Sequence, residues 1–490
     1  MVEELLAAFE ARHIGRLMRA YRLHRYHRAE YGPRGVPQSV VAQWLGLTQA
    51  QVSRIETGPP VTDLISLTHY ARVLGVPEER LWFSLPGKVP TPRAEPLFLA
   101  ELDSPASEVI ASQEAWRATR RYLNTHRAQL AQAASALYPA EFHVSGTALL
   151  MAPAWTPPAP VPLERVRLKW IDAAPKVPLV DGREVEARQT VPLYSPSRSF
   201  ERYTQAVRYI DSPFLFENRP SYRLTAVEWD QAGGGELSFN LATYFDKLDV
   251  CEAVGHEFAS AMTEGFANWA RLPLRRLLND PFDVELRTVA PAITTLLLRV
   301  RASGEATFLL HWRDPSKVAT AGGLYDTIPA GEFQPSTITG DPSGSDFDLW
   351  RNIARELNEE LLGAPEYDGS SSRPLDYDRW PLYRSLERAR QAGRLRAYCF
   401  GVGCDALTLA ATIPTALVID DEVFEELFGE VVKTNAEGVT VTEWNGQDTS
   451  SGIPFTEQNV SQFIRNEPMA PPGAACLALT WKYRDLLLGS

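Results

Sequence analysis

The sequence predicts a multidomain protein with an all-α head, a connecting helix, a mixed α/β middle domain and a C-terminal α/β/α sandwich. Three observations support this fold class. The N-terminal region carries only helical patterns, the region after residue 288 alternates apolar strands with one amphipathic helix, and two proline-rich stretches separate the parts. The predicted segments are a head (1–87), a linker (88–106), a connecting or dimerisation helix (107–140), the middle domain (141–287), the sandwich (288–430) and an extension packed on the body (431–490).

The head contains the stretch QSVVAQWLGLTQAQVSRIE at residues 38–56, which suits two helices joined by a tight turn. Ala42 is small enough to let the helices approach closely, and Gly46 can adopt a left-handed backbone at the turn. Thr48 is a favourable N-cap for the second helix. These positions predict a helix-turn-helix.

The polar face of the second helix is expected to point outward, where its side chains can read base edges or bind phosphates. The predicted DNA-contacting residues are Gln38, Thr48, Gln49, Ala50, Gln51, Ser53 and Arg54. Over residues 13–85 the chain resembles the XRE family, the lambda-repressor and Cro type of helix-turn-helix. That resemblance implies a double-stranded DNA operator and a homodimer whose second helix enters the major groove. The alternative is a small helical bundle that does not bind DNA.

The distribution of charge agrees with a head that touches phosphates. The whole chain has a formal net charge of −12, but residues 1–90 contain 11 Lys and Arg against 8 Asp and Glu, a balance of +3 that leaves −15 for the remainder. Four cysteines give neither a disulfide framework nor a zinc pattern, so they predict free thiols in a reducing compartment. With no apolar run long enough for a membrane helix, we expect a cytoplasmic protein that associates with the nucleoid when bound.

A long helix is predicted from Ser107 to Leu137, with an apolar residue at every seventh position from Val109. The companion heptad positions are Ser112, Thr119, His126 and Ala133, which makes a full coiled coil unfavourable. The apolar stripe is therefore expected to pack either on a second subunit or on the body of the same chain.

The middle domain begins with RVRLKW, whose alternation predicts a strand with one solvated face. A helix is predicted from Lys247 to Trp269, and it contains His256 next to Glu257. The sequence HEFASA lacks the second histidine of a zinc motif, so a buried or hydrogen-bonded His256 is expected instead. This domain could wall a pocket, bind another protein or form the dimer interface.

The stretch FDLWRNIARELNEELLG predicts a helix with a carboxylate-rich side. Glu356, Glu359 and Glu360 fall within an arc of about 100° at 100° per residue. Such closely spaced carboxylates favour a hard cation with oxygen ligands, Mg²⁺ or Mn²⁺, between them. An ordinary charged surface helix is the alternative interpretation.

Together with the preceding PAGEFQ, the RELNEELLG of this helix resembles the Nudix box, and the resemblance covers residues 288–430. It implies an α/β/α sandwich, metal ligands at the three glutamates, and a ligand-binding loop with Gly331 and Arg355. Gln334 stands where the family has a glutamate, 20 residues separate it from Arg355, and the closing glycine comes one place late. The glutamates that match the metal ligands are present, but the residues and spacing around them differ from the family pattern. The sequence therefore favours a domain that binds a nucleotide-like diphosphate without hydrolysing it.

Two functions follow from these interpretations. The first is a DNA-binding transcriptional regulator that senses a nucleotide-like or diphosphate ligand in the Nudix-like domain. The alternative is an active Mg²⁺-dependent hydrolase of a nucleoside diphosphate derivative, with Glu359 and Glu360 as catalytic residues, fused to a head that localises it.

Overall fold

The computed structural model forms two compact units, Met1–Ala100 and Glu101–Ser490. It describes residues 8–9, 11–23, 35–45, 47–58, 60–61, 63–74, 76, 81–82, 107–172, 177–213, 216–313, 323–337, 341–364, 374–429, 438–441, 443–444, 447–448 and 452–489. The predicted linker at 88–106 and the turn residue Gly46 lie outside these ranges.

The first unit is helical over its described residues. Its helices are α1 (Ile14–Arg22), α2 (Gln38–Trp44), α3 (Gln49–Thr57) and α4 (Leu64–Val73). Apolar side chains from all four helices share one small core, which includes Met18, Val41, Val52 and Leu67. The head is therefore a compact helical bundle with a core of its own.

The second unit mixes helices and strands, as the sequence predicts. Its helices are α5 (Ser107–Thr125), α6 (Arg127–Ser135), α7 (Tyr203–Ile210), α8 (Tyr244–Thr263), α9 (Pro273–Leu277), α10 (Leu349–Leu362), α11 (Pro381–Gln391), α12 (Asp421–Phe428), α13 (Glu457–Asn466), α14 (Pro471–Lys482) and α15 (Arg484–Leu488). Its strands up to the middle of the unit are β1 (Leu149–Leu150), β2 (Val161–Pro162), β3 (Val166–Trp170), β4 (Leu193–Ser195), β5 (Arg198–Ser199), β6 (Pro220–Trp229) and β7 (Gly235–Thr243). The remaining strands are β8 (Ala292–Val300), β9 (Ala306–Phe308), β10 (Leu310–Arg313), β11 (Tyr325–Thr327), β12 (Ala330–Glu332), β13 (Leu395–Cys399), β14 (Gly403–Asp405), β15 (Ala411–Asp420), β16 (Gly438–Thr440), β17 (Glu443–Trp444), β18 (Gln447–Asp448) and β19 (Ile453–Pro454).

A mixed sheet lies at the centre of this unit. Its strands run in the order β1-β14-β15-β8-β9-β19, with β12 also on β8, and β13 bridging β15 and β2. The pair β8 and β15 is parallel, from Thr412 opposite Ala292 to Asp420 opposite Val300. Both strands are apolar and buried along nearly their whole length, which is typical of strands covered on two faces.

Helices cover both faces of the sheet. Leu297 and Leu417 belong to one core with α10 and α11, whereas their neighbours Leu296 and Ala416 belong to a second core with α13 and α14. This alternation puts successive side chains on opposite faces, as in any strand. The result is an α/β/α sandwich, and the predicted C-terminal extension supplies one of its layers.

The middle segment shares that core. A smaller sheet in the order β3-β7-β6 contributes Leu237 and Phe239 to the same cluster as Leu297. The short strands β1 and β2 pair with β14 and β13 of the large sheet. One continuous core therefore crosses the predicted segment boundary at residue 287.

The predicted single helix of residues 107–137 is two helices, α5 and α6, because His126 between them leaves the helical conformation at φ −113° and ψ 21°. Its apolar stripe packs on the body of the same chain. Trp116 donates its indole N–H to the carbonyl of Thr190 at 2.9 Å, and Leu123 lies against Gly255 of α8. In this structure the stripe is consequently buried inside one chain.

The cysteines and the absence of a membrane-spanning segment are two further expectations that can be compared with the structure. All four cysteines are free and buried. Among the described residues, none of the helices is both long and apolar enough to cross a bilayer.

Candidate functional site

Helix α3 of the head begins with a capping box. The Thr48 hydroxyl oxygen accepts from the Gln51 backbone N–H at 3.3 Å, and the Gln51 side-chain oxygen accepts from the Thr48 N–H at 2.8 Å. Two N–H groups that a helix start leaves without partners are satisfied in this way. Thr48 and Gln51, both predicted DNA contacts, thus fix the start of the helix as well.

The exposed side of α3 carries Gln49, Ala50, Gln51 and Arg54, while Val52 on the opposite side is fully buried. Ser53 is half-buried, and its carbonyl accepts a hydrogen bond from the Thr57 hydroxyl at 2.8 Å. The residues of α3 that the sequence predicts to contact DNA are therefore exposed to solvent, except for the half-buried Ser53.

Gln38 has a structural contact that sequence reasoning did not anticipate. Its side-chain amide donates to Glu56 at 2.8 Å, and the guanidinium of Arg22 donates to the same carboxylate oxygen at 2.8 Å. Glu56 is only 4% exposed, so its charge needs these partners. Gln38 thereby joins the start of α2 to the end of α3 and to α1.

Gly15 on α1 is a second residue that the sequence analysis missed. A Cβ atom added there would lie 1.8 Å from the carbonyl oxygen of Ile55 on α3. The two helix backbones therefore touch, and only glycine fits between them. The glycine within HIGRLM is the sequence signal that could have indicated this close approach.

The acidic helix α10 of the sandwich has well-defined ends. The Asp348 carboxylate accepts from the Arg351 N–H at 2.9 Å at the N-cap, and Gly363 closes the helix in the left-handed region at φ 65°. Trp350, Ile353, Leu357 and its other apolar positions face the sheet. This stripe confirms the predicted helix and fixes the direction of its acidic side.

That acidic side contacts the short strand β12. The Glu356 carboxylate packs against Gly331, where an added Cβ would lie 2.1 Å from its Cδ. The Glu360 carboxylate, in a residue only 5% exposed, accepts from the Ala330 N–H at 3.3 Å. Glu359 of the same helix is half-buried. The predicted loop glycine and two of the predicted metal glutamates are thus brought together.

Arg355 links α10 to the segment that follows β12. Its guanidinium donates to the carbonyl of Gln334 and to the side-chain oxygen of Asn352, both at 2.7 Å, and lies 4.0 Å from the carboxylate of Asp346. All but Gln334 are buried. Arg355 therefore binds the main-chain carbonyl of residue 334. The side chain at that position is the amide of Gln334.

The three glutamates do not form a metal-binding group in this arrangement. Within the parts of the chain that the structure describes, no cluster of three or more His, Cys, Asp or Glu side chains is placed to hold a metal ion. The Glu356 carboxylate lies against Gly331, and the Glu360 carboxylate accepts from the Ala330 N–H. Metal binding by Glu356, Glu359 and Glu360 thus stays a prediction from the sequence.

His256 lies in the core, which confirms the expectation from HEFASA. It is 4% exposed, stacks on Trp116 with ring centroids 5.6 Å apart, and has Nδ1 3.2 Å from the Tyr203 hydroxyl. Burial, with a smaller contribution from the positive charge of Arg120, lowers the pKa of His256 to about 3. The ring is neutral at physiological pH and supports packing between α5 and α8.

The chain was compared with protein families, with curated proteins and with solved structures. No protein-family model matches the chain, and neither does any curated protein. A NUDIX hydrolase from Alicyclobacillus acidocaldarius is among the solved structures that match; it is 14% identical, with 41% of this chain and 96% of that chain covered, at a TM-score of 0.23. A similarity at that TM-score carries no argument about activity.

Proposed function

We propose that this protein is a sequence-specific DNA-binding transcriptional regulator whose second unit senses a nucleotide-like or diphosphate ligand. The observation that carries the proposal is helix α3, which is rigidly capped and exposes a row of amide and guanidinium groups. A helix presented in this way fits the major groove, where such groups read base edges.

The surroundings of α3 support this role. Arg16 and Arg19 on α1 are exposed, as is Arg54 on α3, so cations are available for phosphate contacts. The opposite side of α3 is fixed by Gly15 and by the buried Glu56. A recognition helix gains affinity when its orientation is fixed, because less ordering is required on binding.

A homodimer on a near-palindromic operator is part of the proposal, since head domains of this kind use two half-sites. The stripe on α5 and α6 is buried within its own chain, so the dimer contact is expected to use another surface. DNA and a second copy of the chain are thus the proposed macromolecular partners.

The ligand is proposed to bind where α10 meets β12. There Glu356 and Glu360 contact β12 at Gly331 and Ala330, and Arg355 of the same helix binds the carbonyl of Gln334 just after the strand. A ligand that binds this contact differently in the free and DNA-bound states would change operator affinity, because only differential affinity shifts an equilibrium. Mg²⁺ or Mn²⁺ would take part only after the carboxylates rearrange.

DNA selection from random duplexes, followed by affinity measurements at one salt concentration, tests the DNA-binding role. Gln49→Ala should weaken binding of the selected duplex by about 1–3 kcal/mol, the usual value of one base-reading contact. Ser39→Ala, on the exposed side of α2, is the matched control and should bind as the wild type. Equal affinities for Gln49→Ala and wild type would remove α3 from base recognition.

Thermal stability and phosphate release, measured on the whole chain with nucleotides and sugar nucleotides in the presence and absence of Mg²⁺, test the sensing role. A ligand at a hundred times its Kd should add about 2.7 kcal/mol of stability. Phosphate release that depends on Mg²⁺ and is lost in Glu359→Gln and Glu360→Gln would make the hydrolase the primary function. Stabilisation without turnover is the result that we expect.

A further inference from the structure

Helix α11 carries a positively charged surface on a body that is otherwise acidic. Residues 379–396 contain six arginines and one glutamate, a formal charge of +5, whereas the chain after residue 90 carries −15. One side of α11, which includes Leu386, packs into the core. Arg384 and Arg388 lie one turn apart on the other side and are exposed. These two arginines form the basic face of α11.

The basic face has no carboxylate partner in the part of the chain that the structure describes. Arg388 donates to the hydroxyl of Ser385 at 2.8 Å, and no described acidic side chain forms an ion pair with Arg384 or Arg388. The neighbouring Arg390, in contrast, pairs with Glu387 at 3.0 Å. Like charges four residues apart on a helix repel each other. A negatively charged partner on the basic face would therefore stabilise the helix.

Helix α12 carries the opposite charge at the same spacing. Glu422 and Glu426 are exposed and lie one turn apart, while Val423 and Phe424 hold the other side of the helix in the core. The Glu422 carboxylate is 85% exposed and pairs with Arg394, and no described cation pairs with Glu426. Glu422 and Glu426 form the acidic face of α12, in which like charges again repel.

The basic and acidic faces lie side by side. Helices α11 and α12 contact each other and cover the same side of the large sheet, since Leu386 and Phe424 belong to one core with Leu417. Arg394, just after α11, donates to Glu422 at 2.8 Å and joins the two helices. Four residues of a helix span about 6 Å, so the two charges of each face have the same separation. Adjacent faces of opposite charge and equal spacing make this surface complementary to itself.

A second copy of this chain fits such a surface better than nucleic acid does. About a twofold axis, the basic face of one copy meets the acidic face of the other, and the same contact forms twice. Two arginines and two glutamates from each copy then give four ion pairs. The phosphates of a nucleic acid would instead be repelled by Glu422 and Glu426 beside the arginines.

We propose that α11 and α12 form the contact between two copies of this chain, with the basic face of each copy on the acidic face of the other. The contact supplies the interface of the homodimer in the proposed function, and to that extent it rests on the proposed function. A single exposed ion pair contributes little to stability. The four pairs together fix the register of the two copies and exclude partners with the wrong charge.

The test measures the dissociation constant of the dimer for the full chain, by analytical ultracentrifugation without DNA. Arg384→Glu combined with Arg388→Glu should weaken dimerisation by about tenfold or more, because like charges then face each other across the contact. Glu422→Lys combined with Glu426→Lys should have the same effect. An equimolar mixture of the two double variants should dimerise within about threefold of the wild-type constant, because opposite charges face each other again at both contacts.

A control separates this contact from a general effect of charge. Arg188→Glu combined with Arg198→Glu changes the net charge as much as the α11 variant does, at two exposed arginines of the middle segment, and should dimerise as the wild type does. The wild-type dimer should also weaken as salt rises, because salt screens exposed charges. That measurement tests the contact even if a double variant does not fold.

The proposal is wrong if the wild type stays monomeric, if its dimer is insensitive to salt, or if a folded double variant dimerises normally. It is also wrong if the mixture of the two variants does not restore the dimer. An α11 variant that loses DNA affinity but keeps its dimer would assign the basic face to nucleic acid. A wild-type dimer with no preference for a selected duplex would contradict the proposed regulator and leave this contact intact, whereas a monomer that binds the selected duplex would contradict this contact.

Discussion

Gly15 and Glu56 together fix the geometry of the head at the level of single residues. The glycine lets α1 and α3 touch, and the carboxylate joins α1, α2 and α3 through Arg22 and Gln38. Neither residue belongs to the surface that we propose to contact DNA. Their effect on binding is therefore indirect and acts through the stability of the bundle.

Gly15→Ala should destabilise the head by about 3 kcal/mol, because the new methyl group would overlap a backbone carbonyl that cannot move aside. Hydrogen exchange of the α1 and α3 amides in the full chain measures this loss as faster exchange. Arg16→Ala changes an exposed neighbour and should leave exchange nearly unchanged. Wild-type protection in Gly15→Ala would show that the helices are not in contact.

His256 gives a pH dependence with a definite sign. Its folded pKa is about 3, below the ordinary value of 6.5, so the unfolded chain binds the proton more readily. Stability from this residue is complete above pH 6.5 and is lost as the pH falls towards 3. Between pH 7 and 5 the wild type should lose about 2 kcal/mol more than His256→Gln, measured by urea unfolding. An identical loss in both proteins would mean that His256 titrates normally in the folded state.

At the scale of elements, the junction between α10 and β12 shows what sequence could and could not predict. The apolar stripe, the N-cap at Asp348 and the closing Gly363 are local features, so the helix could be predicted from its residues. The directions of Glu356 and Glu360 depend on a strand whose approach is set by pairing with β8, which no local pattern encodes. The predicted glutamates were therefore located on the correct helix, but their contacts with β12 could not be foreseen.

Arg355→Met should destabilise the sandwich by about 3 kcal/mol, because the buried Asn352 oxygen and the Gln334 carbonyl would lose their donor and Asp346 a nearby positive charge. Chemical unfolding of the full chain measures this change. Arg384→Met on the exposed side of α11 is the control and should stay within about 0.5 kcal/mol of the wild type. A negligible effect in Arg355→Met would contradict its role as the link between α10 and the segment after β12.

The connecting helices illustrate the same limit. Their heptad spacing predicted an apolar stripe correctly, yet the spacing alone could not distinguish a second subunit from the body. The structure places Trp116 and Leu123 against α8, and it ends the first helix before His126. Long-range partners of this kind depend on the whole fold, as do the pairings of β1 and β2 with strands more than 200 residues away.

At the scale of the whole molecule, charge is divided between the ends of the chain. The first 90 residues carry a formal +3 and the remainder −15. Nonspecific attraction to phosphates is thus expected from one end only, and it should weaken as salt rises. The proposed regulator combines this end with a body that contains the candidate ligand site at α10 and β12.

The most direct measurement is the ratio of two dissociation constants at one physiological salt concentration, for a duplex selected by the full chain and for a scrambled duplex of equal length. The proposed regulator should bind the selected duplex about 1,000-fold more tightly or better, as specific DNA-binding proteins do. A ratio near one would contradict sequence-specific recognition, and the head would then be a helical bundle with another role.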